Sequence, residues 1–70
     1  MIIFSKNEGV IVNTNAVKSI HIGYDNSGDG RFINADDFEL AEFRNENTAR
    51  KVLQQIFDAM KNGEKTFELP

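Results

Sequence analysis

Cysteine is absent and histidine occurs once, at His21. Without thiols no disulfide framework can form, and one imidazole cannot complete a Cys/His zinc site. Long hydrophobic runs are missing as well: the chain opens Met1-Ile2-Ile3-Phe4-Ser5-Lys6, an apolar run of four with no basic segment ahead of it. That is neither a secretory signal nor a membrane span, and a soluble, cytoplasmic protein with no membrane contact is expected. Positive charge is scarce too, with Lys and Arg at 8 against 11 Asp and Glu, a formal net charge of −3. Nucleic-acid binding draws much of its affinity from phosphate neutralisation, so no nucleic-acid partner is expected. Such binding would require Lys18, Arg31, Arg44, Arg50 and Lys51 to converge on one face.

What is present suffices for a single small domain over residues 1–70. A chain of this size buries only about 60% of the surface its unfolded form exposes. Its core is worth on the order of 3–5 kcal/mol, so association with another chain would be a gain.

Periodicity divides the chain into a β-rich part, residues 2–43, a helix at 46–61 and an extended tail at 64–70. Residues 2–6 are apolar and β-branched, Asn7-Glu8-Gly9 supplies a turn, and Val10-Ile11-Val12 returns as the second arm of a hairpin. After Asn13-Thr14-Asn15, the residues Ile20, Ile22 and Tyr24 alternate with Ser19, His21 and Gly23 in the pattern of a half-buried strand. Val17 falls on the opposite parity, as a bulge or the approach to a turn would allow. Residues 25–30 form a polar, Gly-rich loop, and 31–35 with 38–43 make a further hairpin about Asp36-Asp37, with Phe38 and Leu40 sharing a face. The helix carries Ala49, Val52, Leu53, Ile56, Phe57 and Met60 as one continuous apolar stripe. Asn45 or Asn47 can cap its start, and Lys61 with Asn62-Gly63 can end it. The expected fold class is α+β: an antiparallel meander of about five strands, with one C-terminal amphipathic helix packed on one face.

One stretch invites a chemical reading. Asp25, Ser27 and Asp29, followed by Gly30 and, at loop position twelve, Asp36, resemble the spacing of a calcium loop. The twelfth position carries Asp instead of the bidentate Glu, and strand-like sequence flanks the loop where helices should stand. A solvated hairpin loop accounts for the same residues, because Asp, Asn and Gly tolerate turn geometry. A divalent-metal module through Asp25, Ser27, Asp29 and Asp36 is therefore the alternative, and no metal ligand or cofactor is assigned in the main reading.

No catalytic residue is assigned either. His21 lies on the parity opposite Ile20 and Ile22, facing solvent, and none of Ser5, Ser19, Ser27, Thr14, Thr48 or Thr66 sits in a nucleophile-elbow pattern. Adjacent Asp36 and Asp37 point to opposite faces if the segment is a strand, and they read as turn residues. Phe4, Phe38 and Phe57 fall on apolar faces and are expected in the core. In the tail, Phe67 and Leu69 lie on one side, as an added edge strand or a docking segment would require, in this chain or a neighbour.

The motifs Ile2-Ile3-Phe4-Ser5, Ile11-Val12-Asn13, Leu40-Ala41-Glu42-Phe43, the run from Ala49 to Ile56 and the closing Phe67-Glu68-Leu69-Pro70 together resemble a family of small uncharacterised proteins of Firmicute phages and mobile elements. Ala41 stands where that family usually has Gly, Phe43 where it has Tyr and Leu69 where it has Met. The resemblance implies a source and a fold, and transfers no functional residue. The resulting expectation is a non-enzymatic accessory or protein-interaction protein that binds a protein partner or self-associates as a homo-oligomer. Val10, Val12, Ile3 and Phe43 cannot all face one helix, and an exposed remainder among them would form the contact surface.

Overall fold

The computed structural model describes all 70 residues except Ser27 and Asp29. Strands β1 (Ile2–Ser5) and β2 (Val10–Asn13) pair antiparallel, with Ile3 opposite Val12 and Phe4 opposite Ile11. Lys6 belongs to the connecting turn, which closes with the Gly9 amide on the Lys6 carbonyl at 3.3 Å. The polar residues that follow leave the sheet in a short 3₁₀ turn (Thr14–Ala16), where the Asn13 side-chain oxygen accepts from the Asn15 amide at 3.0 Å. Strands β3 (Ile20–Tyr24), β4 (Arg31–Ala35) and β5 (Phe38–Phe43) then form an antiparallel meander. Helix α1 (Glu46–Lys61) follows, and β6 (Thr66–Glu68) returns to lie parallel to β1, Phe67 beside Ile3.

The class is α+β, as the patterning requires. Among the described residues the strands number six and divide between two sheets, of order β2-β1-β6 and β3-β4-β5, instead of about five in one meander. The difference has two causes. The turn at residues 13–16 takes the chain out of the first sheet, and the tail supplies the third strand that gives β1 a neighbour on both sides.

The helix begins and ends on its own sequence signals. Asn45 Oδ1 accepts from the Thr48 amide at 2.9 Å and from the Thr48 hydroxyl at 3.0 Å, satisfying one orphan donor of the first turn. At the other end Gly63 adopts φ +74°, where a side chain would be strained. Its amide donates to Met60 O at 3.1 Å, and Glu64 N donates to Ala59 O at 2.9 Å, the paired bonds of a Schellman stop.

The core draws on every layer. Ile3 and Val12 come from the first sheet, Ile33, Ala35 and Leu40 from the second, Ala49, Val52 and Ile56 from α1, and Leu69 from the tail. Ile3 and Val12, with Val10 and Phe43 packed against this core, are covered, so the expected exposed remainder is found elsewhere. Phe4, Phe38 and Phe57 depart from expectation in the other direction, at 38%, 66% and 58% exposed. Phe4 alternates with buried Ile3 and Ser5 and so faces outward. Phe38 stands opposite Ala35 at the end of the sheet beside the turn, where it is left uncovered, while the β4–β5 register shifts between Ile33 and Asn34, skipping Leu40, which is fully buried.

That bulge also joins the two sheets. The Leu40 carbonyl accepts from Ser5 Oγ, and Ser5 is buried. The hydroxyl is thus committed to backbone satisfaction. Among the described residues no buried side-chain polar atom lacks a partner, and no helix is long and apolar enough to cross a membrane.

Two outcomes are expected. Ser5→Ala strands a buried carbonyl and should lower stability by about 1–3 kcal/mol in denaturant unfolding, whereas an unchanged midpoint would contradict the joint. Leu69→Ala should cost about 2–5 kcal/mol, enough to lower the melting temperature by at least about 8 °C. A drop under about 3 °C would mean that the tail is not part of the core.

Candidate functional site

The apolar stripe of α1 is wider than the sheet it covers. Ala49, Val52 and Ile56 are buried against the strands, while Leu53 is half-buried and Phe57 and Met60 are exposed along one flank. Opposite that flank runs the segment from the 3₁₀ turn to the start of β3, and between the two lies a groove of about 580 Å³. Val17, Ile20, Leu53, Ile56, Phe57 and Met60 supply its apolar lining. Thr14, Ser19 and Gln54 add polar groups, and Lys18 and Arg50 are the charged residues that line it. The volume lies in the range of clefts that hold small ligands or side chains of a partner.

The wall opposite the helix is held by Asp36. This residue sits in the two-residue turn between Ala35 and Phe38 with φ +53°. Its Oδ1 accepts from the Lys18 and Ser19 amides, both at 3.0 Å, and its own amide donates to Ser19 O at 2.9 Å. The N-terminal ammonium adds a bond to Thr14 Oγ1 at 3.1 Å. A carboxylate that accepts two backbone amides fixes its partners firmly, so Val17 and Ile20 are presented by a braced segment.

The calcium-loop reading is corrected by this placement. Asp25 follows β3 and Asp36 follows β4, at opposite ends of a five-residue strand. At about 3.4 Å per residue they are separated by roughly 20 Å, too far to share an ion. Asp36 is spent on the Lys18 and Ser19 amides, and Ser27 and Asp29 lie outside the described residues. Among the described residues no three His, Asp or Glu side chains gather as metal ligands. His21 is exposed on the face of the second sheet away from the helix, its Nδ1 3.0 Å from Ser19 Oγ.

The basic residues are distributed. Lys18 and Arg50 border the groove. Arg50 and Arg31 both bind Glu46, at 2.8 and 3.3 Å, and the Arg31 guanidinium stacks over the Tyr24 ring at 4.6 Å from its centroid. Arg44 lines a separate, open depression with Asp25 and Glu42. The hydrogen bonds from Arg50 and then Arg31 hold the Glu46 carboxyl below its ordinary range.

On the opposite side of the charge balance, Glu39 is pushed above its ordinary range. Desolvation by crowding atoms is the leading cause even though the side chain is exposed, and the charges of Glu8 and Glu42 and a hydrogen bond with Glu8 add to it.

Sequence reasoning missed the groove, although two signals pointed to it. One was the off-parity Val17, and the other was a helical stripe with more apolar positions than a single sheet face covers. Comparison with family models, with curated proteins and with solved structures gives no match.

The acidic cluster yields a pH prediction. A raised folded-state value means that the native protein binds the Glu39 proton more tightly than the unfolded chain, so stability is lost as pH rises through that value. Glu39→Gln removes this loss. At pH 7 the variant should melt above the wild type, the gap closing below about pH 4 and shrinking in high salt. Equal melting temperatures at pH 7 would show that the cluster carries no strain.

Proposed function

We propose that the chain is a non-enzymatic accessory protein of the cytoplasm that works by binding another protein chain through the groove between α1 and the 14–20 segment. Its occupant is an apolar segment bearing carboxylates. The observation that carries this reading is the half-covered helix: Phe57 and Met60 are 58% and 45% exposed beside a braced apolar trough bordered by Lys18 and Arg50. Exposed aromatic and Met side chains around a preformed cleft are the usual anchors of recognition, and cations at the rim favour an acidic partner. The resemblance of Ile2-Ile3-Phe4-Ser5 and Phe67-Glu68-Leu69-Pro70 to proteins of Firmicute phages and mobile elements suggests that setting for its action. The non-enzymatic assignment draws support from the hydroxyl of Ser5, bound to the Leu40 carbonyl, and the carboxylate of Asp36, bound to backbone amides.

The test is capture by the tagged protein from a phage-carrying Firmicute lysate, run beside a copy with Phe57→Asp and Met60→Asp. Both positions are exposed, so the variant should keep its far-UV spectrum. Retention of a protein, foreign or the untagged chain itself, should be lost in the variant. Retention that is indifferent to these substitutions would retire the groove as the site.

A further inference from the structure

The groove asks for an exposed apolar side chain flanked by carboxylates, and the chain carries one. At the first residue of β5, next to the Asp36-Asp37 turn, Phe38 is 66% exposed, and its neighbours Asp37 and Glu39 are exposed acids. Its ring is more uncovered than those of Tyr24 and Phe57, each 58% exposed, and the charge beside it is opposite in sign to Lys18. The backbone here cannot easily give way, because Asp36 ties the turn to the Lys18 and Ser19 amides. Phe38 is therefore displayed on a rigid tip, which keeps the ordering cost of docking it low.

The same tie places tip and groove side by side. Phe38 stands opposite Ala35 on β4, and Ala35 stands opposite Ile20 on β3, so the three lie in one row across the sheet. Ile20 lines the groove. A projecting group next to its own complementary recess is the arrangement that a two-fold axis can exploit, since each copy then both donates and receives and the assembly closes.

Resting on the groove as the interaction site, we infer that its occupant is the Asp37-Phe38-Glu39 tip of a second copy of this chain, exchanged reciprocally in a two-fold homodimer. Phe38 enters between Leu53, Phe57 and Ile20 of the other copy, and Asp37 meets its Lys18. A standard interface buries about 800 Å² on each side, roughly a sixth of the chain's 4928 Å² surface.

Sedimentation equilibrium of the full chain tests the assignment. The wild type should be a dimer that weakens as salt rises. Phe38→Ser, which lacks the tip, and Phe57→Asp with Met60→Asp, which lacks the groove, should each be monomeric. Mixed in equal amounts they should form a heterodimer through the one intact contact. Should Phe38→Ser unfold, Asp37→Lys serves in its place, weakening the dimer at least about tenfold at low salt.

A wild type that stays monomeric at about 1 mM, a dimer indifferent to either variant, or a mixture that fails to pair overturns the second-copy assignment. If the wild type is monomeric yet captures a foreign protein that the Phe57→Asp, Met60→Asp variant does not, the groove reading survives and its occupant is that protein.

Discussion

The bond from Ser5 Oγ to the Leu40 carbonyl is the point on which the two sheets meet. The bulge in β5 takes Leu40 out of register with β4 and turns its side chain fully inward, which would leave its carbonyl in an apolar interior. A buried acceptor without a donor is costly, and β1 brings the donor. Everything else in the core is arranged around this contact: Ile3 stands two residues from Ser5, Leu69 bonds back to the Phe4 carbonyl at 2.9 Å, and Ile33 and Ile56 close the other side. The Ser5 hydroxyl is a structural fastener.

With so small a chain, closure by the tail is as much a requirement as the joint. The first hairpin alone is two strands, which water does not sustain. Parallel β6 gives β1 its second neighbour and puts Leu69 under the sheet. The tail therefore docks within its own domain, and the surface left for recognition is the groove beside α1, with Phe38 in the same cross-strand row as its wall residue Ile20 and the outward Phe4–Ile11 pair on the other sheet.

Charge follows the same division. Glu46 gathers Arg31 and Arg50 at the start of the helix, while Glu8, Glu39 and Glu42 crowd one another at the outer side of β5. The net charge of −3 is thus unevenly spread, with Lys18 and the Glu46-paired Arg50 lining the groove and an acidic cluster at the outer side of β5. An uneven field of this kind gives an interface polarity, steering a partner of opposite sign toward the groove.

The helix was legible in the sequence to its ends, because its signals are local: Asn45 caps by reaching three residues along, and Gly63 turns left-handed at its own backbone. The α+β class and the hairpin at Asp36-Asp37 were legible for the same reason. What required the tertiary structure was every decision made between segments distant in the chain. Phe38 at the sheet's end is left 66% exposed while Leu40 at the bulge is fully buried, and the pairing of β6 with β1 turned one expected meander into two sheets. Asp36, spaced like a metal ligand, found its partners in the amides of Lys18 and Ser19 and so braced a groove whose walls lie more than thirty positions apart. Sequence by itself determined which residues are apolar, which can cap and which can turn, since these are properties of single side chains and their near neighbours. Only the fold decided which apolar residues are covered, because burial depends on what long-range packing brings overhead, and at Phe57 and Met60 it brings nothing from this chain.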